Sequence, residues 1–159
     1  QRQMCIRDRT YTYRDELVLP VPLEEVFPFF AEARNLEKLT PPWLRFEVLT
    51  EGPITMTAGT LIDYRISWRG IPLRWRSEIE VWEPGRRFVD RQIRGPYRLW
   101  RHEHLFAERG DGTAVIDRVE YAPIGGAIAN RFVVARDVAG IFAYRHEVLR
   151  RDFRAPSIV

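Results

Sequence analysis

Residues 127–153 contain no proline and a single glycine, Gly140. Within them Ile128, Phe132, Ala135, Ala139, Phe142, His146, Leu149 and Phe153 recur at three- and four-residue spacing, the stripe of one long amphipathic helix. Most of the chain between residue 45 and that stripe alternates with period two instead. In "PLRWRSEIEVW", Leu73, Trp75, Ser77, Ile79 and Val81 share one face, and Arg74, Arg76, Glu78 and Glu80 share the other. In "LIDYRISW", Ile62, Tyr64, Ile66 and Trp68 oppose Asp63 and Arg65. A sheet that is charged on one side must be covered on the other, and only the C-terminal helix is long enough to do it. The fold class that follows is α+β: a curved antiparallel sheet wrapped around a long C-terminal helix.

The remaining elements fit around that pair. Residues 10–19 end in apolar alternation and predict a first strand. "PVPLEEVFPFFAEARNLEKLTPPW" predicts two short helices, with Pro22 suited to a first turn and Glu24 and Glu25 to the positive end of a helix dipole. Pro28 should kink or split the first helix, and Pro41 and Pro42 stop the second. Strands are expected at 45–51, 60–68, 72–82, 87–93, 98–108 and 113–121, separated by the turn signals Arg69-Gly70, Pro84-Gly85, "RGPY" and "RGDG".

A chain of 159 residues suits one domain. It has no run of about 18 apolar residues, so no membrane insertion is expected, and no basic region followed by an apolar one that would read as a secretory signal. Cys5 is the only cysteine, which leaves no internal disulfide. A cytoplasmic protein is the expectation. The start needs separate treatment, because "MCIRDR" resembles the translation of a transposon-end adapter. Residues 1–9 are therefore expected to be no part of the natural protein, and 10–155 to form the single domain. The formal charge of +3 includes Arg2, Arg7, Arg9 and Asp8, and without them it is +1. So nearly neutral a domain has little pull on nucleic acid, whose binding rests on phosphate neutralisation. No glycine-rich phosphate loop occurs, and neither Ser67 nor Ser77 sits in a nucleophile elbow.

Two of the three histidines sit one residue apart in "LWRHEHLF". As a strand it puts His102 and His104 on the face that also carries Trp100 and Phe106. That face is otherwise aromatic, with Tyr64, Trp68, Trp75, Phe88 and Tyr121. An odd register across "RGDG" sets Asp117 opposite His104, and an even one across "RGPY" sets Asp90 opposite His102 and Gln92 opposite Trp100; a slip of one residue would reverse either. Three readings follow. Glu108 completes an H-x-H-x-x-x-E pattern like that of cupin metal sites, but the flanking glycines are not at cupin spacing and no second histidine motif follows. No bound metal is expected. The histidines could be packed and held by acids for structural reasons alone. Or they could be polar groups in an aromatic cavity, the usual anatomy of a small-molecule site.

The order strand, two short helices, run of strands, long helix resembles the helix-grip fold of the START-related superfamily. More narrowly, "LPVPLEEVFPFFAEARNLEKLTPPWLRFEVL", "FVDRQIRGPYRLWRHEHLF", "GTAVIDRVEYAPIGG" and "IFAYRHEVLRR" resemble the bacterial ligand-binding SRPBCC proteins, over residues 11–153. The resemblance implies a deep cavity between sheet and helix for a hydrophobic or amphipathic small molecule, and no cofactor. Some relatives are joined to a nucleotide-sugar-epimerase-like domain, a partner absent from this sequence. Trp68, Trp75, Trp100 and Phe106, with Tyr64 and Phe142, would form wall. His102, His104, Asp90, Gln92, Asp117 and Tyr121 would orient polar atoms of the ligand, and Arg145 and Tyr144 would reach its polar end. In aromatase/cyclase relatives the cavity folds a polyketone chain, so an enzymatic alternative is a polyketide cyclase/dehydratase with His102, His104 and Asp117 as candidate catalytic residues. A further alternative is an interaction module for a partner enzyme, with a filled interior and an exposed apolar patch.

Overall fold

The computed structural model describes residues 10–154; the adapter-like residues 1–9 and Ala155 lie outside that range. Seven strands form one antiparallel sheet, in the order β1 (Tyr11–Leu19), β7 (Gly112–Pro123), β6 (Tyr97–Arg109), β5 (Arg87–Arg94), β4 (Ile71–Glu83), β3 (Leu61–Trp68), β2 (Glu47–Val48). Between β1 and β2 lie α1 (Leu23–Ala31) and α2 (Leu36–Leu39), with short 3₁₀ turns at Ala33–Asn35 and Pro42–Leu44. The chain ends in a continuous helix made of α3 (Gly126–Ala129), a π-helical turn (Asn130–Val134) and α4 (Ala135–Asp152). This is the helix-grip arrangement. No helix among the described residues is long and apolar enough to cross a membrane.

The hairpins follow from their turns. Arg69 and Gly70 both take positive φ, 50° and 83°, as a two-residue primed turn requires. The observed registers place His104 opposite Asp117 and His102 opposite Asp90. The outer face is a lattice of cross-strand ion pairs: Arg65 with Glu47, Arg76 with Asp63 through two 2.8 Å bonds, Arg91 with Glu78, and Arg101 with Glu80. Exposed pairs of this kind contribute little each. They keep the convex face wet and fix which face turns inward.

Four expectations are corrected. Helix α1 runs through Pro28 without splitting; so short a helix loses at most one backbone bond to the missing N–H. Only Glu47–Val48 of the expected 45–51 strand pairs with β3: Arg45 turns the backbone left-handed at φ 43° before it, and at Thr50 the side-chain oxygen takes the Asp63 N–H in place of the backbone. A bulge between Ile79 and Val81 reverses the alternation of β4. Val81 therefore pairs with Val89, and Trp82 packs inward against Phe27 and Phe88. The fourth concerns the helix stripe. Its buried side chains are Asn130, Val138, Phe142, Arg145, Val148 and Leu149, while Ile128 and Phe132 stand 74% and 69% exposed. The π-helical turn inserts an extra residue, so the first turns point a different way from those that follow.

The core lies in three bodies around the inner face. One joins α1, β1 and the end of α4 through Val26, Phe30, Leu17, Leu19, Val115, Val148 and Leu149. Another joins β3 and β4 through Ile62, Tyr64 and Ile79. The third joins β7 to α4 through Val119, Tyr121, Val138 and Phe142. Leu149→Ala should cost about 2–5 kcal/mol in denaturant unfolding, the usual cost of a buried leucine. Phe132→Ser should stay within about 0.5 kcal/mol of the parent; a loss comparable to that at Leu149 would put the π-turn phase in error.

Candidate functional site

Among these bodies the middle of the sheet stands off the helix. A cavity of about 720 Å³ remains. Its wall is mainly aromatic and aliphatic, with Tyr64, Trp68, Trp75, Phe88, Trp100 and Phe142 among the rings. Trp75 and Trp100 meet edge to face at 5.4 Å, and Tyr97 completes the group. The indole N–H groups are satisfied locally: Trp75 Nε1 donates to Ser77 Oγ at 3.1 Å, and Trp68 Nε1 to Asp137 Oδ2 at 2.8 Å. The second bond ties the β3–β4 hairpin to α4. No alternation or spacing signalled it, because its partners stand 69 residues apart.

One wall is polar. His102 and His104 project inward from β6, Asp90 from β5, and Arg145 from α4. Asp117, on β7, lies behind them. The side chains reach diagonally as well as straight across to their direct partners. His102 Nε2 reaches Asp117 Oδ1 at 2.8 Å, and His104 Nε2 reaches Asp90 Oδ2 at 3.0 Å. The diagonal is long between strands, and an imidazole is long enough to span it. The two imidazoles lie 3.7 Å apart, and His104 also stacks on Phe88 at 4.1 Å.

His104 Nδ1 has two suitors. Asp117 Oδ1 lies 3.0 Å away and Arg145 Nη2 lies 3.2 Å away. A neutral ring whose proton sits on Nε2, toward Asp90, accepts from Arg145; an imidazolium donates from Nδ1 to Asp117. The protonation state of His104 thus decides which neighbour it engages. Arg145 is 4% exposed, with its guanidinium over the rings of Phe30 and Phe142 and 3.5 Å from Asp117. Among the described residues its Nε has no hydrogen-bond partner.

Burial alone would raise both carboxyls. Arg145, followed by hydrogen bonds from the two histidines, holds Asp117 well below the ordinary 3.8, and the His104 hydrogen bond is the main reason Asp90 is also lowered. Burial, and then the adjacent His104, pushes His102 down from 6.5 against the pull of Asp117. Arg145 carries a permanent charge, so it keeps Asp117 ionised even when both imidazoles are neutral.

Several expected residues lie outside the cavity lining. Phe106 is buried in the core against Phe27 and Phe30. Tyr121 packs behind Trp100, against Tyr11 and Tyr97. Gln92 is not set opposite Trp100, because the β5–β6 ladder ends at Arg91–Arg101; its amide instead clamps the turn, donating to Tyr97 O at 2.7 Å. Tyr144 packs against Trp43. His146 pairs with Asp15 at 2.6 Å, away from the other two histidines. Asp90, His102 and His104 bring one ligating atom each within 4.8 Å of one another, the one such group among the described residues. A cation there would compete with the hydrogen bonds that already use those atoms. Glu108, exposed near the end of β6, takes no part.

The linkage has a definite sign. Lowered carboxyl pKa values give stability that is complete above about pH 4 and is lost as the pH falls through the folded-state values. The lowered His102 acts in the same direction, beginning below about pH 6.5. The melting temperature should therefore fall from pH 7 downward and more steeply below pH 4. Asp117→Asn should cost about 3–5 kcal/mol at pH 7, since it leaves Arg145 buried and uncompensated, and its melting temperature should depend less on pH below 5. An unchanged acid limb in that variant would remove Asp117 from the explanation.

Comparison with known proteins bears on both fold and family. No curated protein sequence matches the chain. Among solved structures it is similar to a Chromobacterium violaceum structural-genomics protein at a TM-score of 0.72, with 16% identity over 91% of this chain and 98% of that one. It is similar to a major latex-like protein of Panax ginseng at 0.68, with 10% identity over 92% and 99%. The Zhui aromatase/cyclase of Streptomyces sp. R1128 gives 0.64, with 18% identity over 94% and 100%. Identities this low speak to the fold alone. A family described as "Polyketide cyclase / dehydrase and lipid transport" matches residues 19–144. The match takes in α1, the whole sheet from β2 to β7 and most of the C-terminal helix, and on it the chain belongs to that family, within the SRPBCC superfamily.

Proposed function

We propose that the chain binds a hydrophobic or amphipathic small molecule in the cavity between sheet and C-terminal helix. The observation that carries this reading is the cavity itself, about 720 Å³ with an aromatic wall and one cluster of convergent polar groups. Interiors are normally packed to crystal density. A hollow of this size, bounded by large side chains, offers dispersion contact that an apolar ligand can take up. Tyr64, Trp68, Trp75, Trp100 and Phe142 supply apolar contact in this reading, Asp90, His102 and His104 orient the ligand's polar atoms, and Arg145 holds that wall in place. Asp117 acts through the histidines and Arg145 and does not touch the ligand. A hollow interior speaks against an interaction module with a filled one.

A second reading is favoured by the two imidazoles facing the cavity with carboxylates behind them. His104, with Asp90 on Nε2, has the makings of a general acid/base, and the family's description includes cyclases and dehydrases. Here the chain would fold and dehydrate a polyketide-like substrate.

Native mass spectrometry of the purified chain, followed by organic extraction, tests the first reading. A co-purifying apolar compound is expected; a ligand-free protein that leaves its tryptophan emission unchanged with every flat apolar probe would end it. His104→Ala separates the two readings. A binder should lose affinity by about tenfold, the size of one hydrogen bond to a charged network. An enzyme should lose turnover by about a hundredfold or more with affinity retained.

A further inference from the structure

The polar wall also says which headgroup the cavity accepts. Resting on the binding reading above, we propose that it takes a neutral ligand bearing a hydroxyl (an alcohol, phenol or enol) and rejects carboxylates, with Asp90 Oδ1 as the acceptor.

Asp90 is the most open member of the cluster. Its side chain is 19% exposed, against 5% for His104, Asp117 and Arg145. Its contacts run through one oxygen: Oδ2 takes His104 Nε2 at 3.0 Å and lies 3.7 Å from His102 Nδ1. Among the described residues no hydrogen bond or ion pair engages Oδ1. That oxygen is an ionised acceptor on a cavity wall, and a ligand hydroxyl could donate to it in a charge-assisted bond.

The charges of the cluster point the same way. Two carboxylates, Asp90 and Asp117, face one permanent cation, Arg145. With both imidazoles neutral the cluster carries −1, and with one protonated it is neutral. Charging both is opposed by the 3.7 Å between their rings. Arg145 is turned to Asp117 and His104 and closed in by Phe30 and Phe142. A ligand carboxylate at this wall would therefore meet Asp90 without an open cation to offset it. Elsewhere on the lining, Glu32 and Asp137 add negative charge, and the one other arginine, Arg69, lies 3.9 Å from Asp137 and over the ring of Trp68.

The test uses three probes on one skeleton, 1-pyrenemethanol, 1-methylpyrene and 1-pyrenecarboxylate, titrated at pH 7.5 into the full chain and read by quenching of tryptophan emission. The alcohol should bind at least about tenfold more tightly than the carboxylate, with the methyl compound weaker than the alcohol. Asp90→Asn removes the charge and offers a donor, so it should bring alcohol and carboxylate within about threefold of each other. Asp90→Glu, which keeps the charge, should preserve the order. A carboxylate that binds the wild-type protein as tightly as the alcohol overturns the proposal and leaves the cavity reading standing. So does an alcohol preference that Asp90→Asn leaves intact. If none of the three probes binds, the cavity reading itself fails. Should Asp90→Asn not fold, the wild-type ratio and Asp90→Glu still decide.

Discussion

One helix cannot cover seven strands. Strands spaced at about 4.8 Å make a sheet about 29 Å across, and a helix with its side chains is about 10 Å wide. The concave face must then be closed by curvature, by other elements, or left open inside. Here all three happen. The sheet curls, with bulges in β4 and β6 increasing its bend. Helix α1 and the end of α4 fill one side with Val26, Phe30, Val148 and Leu149. The middle stays hollow, and the site is what this mismatch of widths leaves behind.

A hollow interior changes the electrostatics of what borders it. Two carboxylates, an arginine and two imidazoles would be a poor substitute for apolar packing if stability were the only criterion. They persist because they satisfy one another. Every charged member has an opposite charge or a ring nitrogen within 3.5 Å, and the carboxylates are held ionised as a result. Because both carboxylates bridge two histidines, loss of any one group changes the surroundings of the other four. The fixed relation of β5, β6 and β7 makes this possible, since three adjacent antiparallel strands deliver Asp90, the histidines and Asp117 at one level of the sheet.

Much of this was legible in the residues. Alternation showed which face was wet, and the apolar pattern of β7 favoured the register that brings Asp117 to the histidines, whereas the one that brings Asp90 there was open to a slip of one residue. What alternation could not give was depth. Phe106 and Tyr121 share the inner face with Trp100 and His102, yet α1 packs over the first and aromatic neighbours close over the second. Period-two reading also assumes an unbroken ladder. One extra residue near Glu80 sent Val81 outward and Trp82 inward. The amphipathic stripe failed for the parallel reason in a helix: a constant 3.6-residue period was imposed on a segment that changes pitch at Asn130–Val134. Arg145 could be placed beside the stripe, but its burial among Phe30, Phe142 and Asp117 depends on two other elements, α1 and β7.

That change of pitch divides the labour of the last helix. Beyond Val134, its side chains belong to the interior: Val138, Phe142 and Arg145 look into the hollow, and Leu149 anchors the far side. Before it, Ile128 and Phe132 face outward, beside Ile124 where the chain leaves β7. A strictly α-helical segment would have wound those two turns further around the axis and laid different residues over the top of the chamber. The extra residue therefore works as a gearing between a rooted shaft and a freely dressed head. Substitutions in the head can alter what the molecule presents to its surroundings while the chamber keeps its shape.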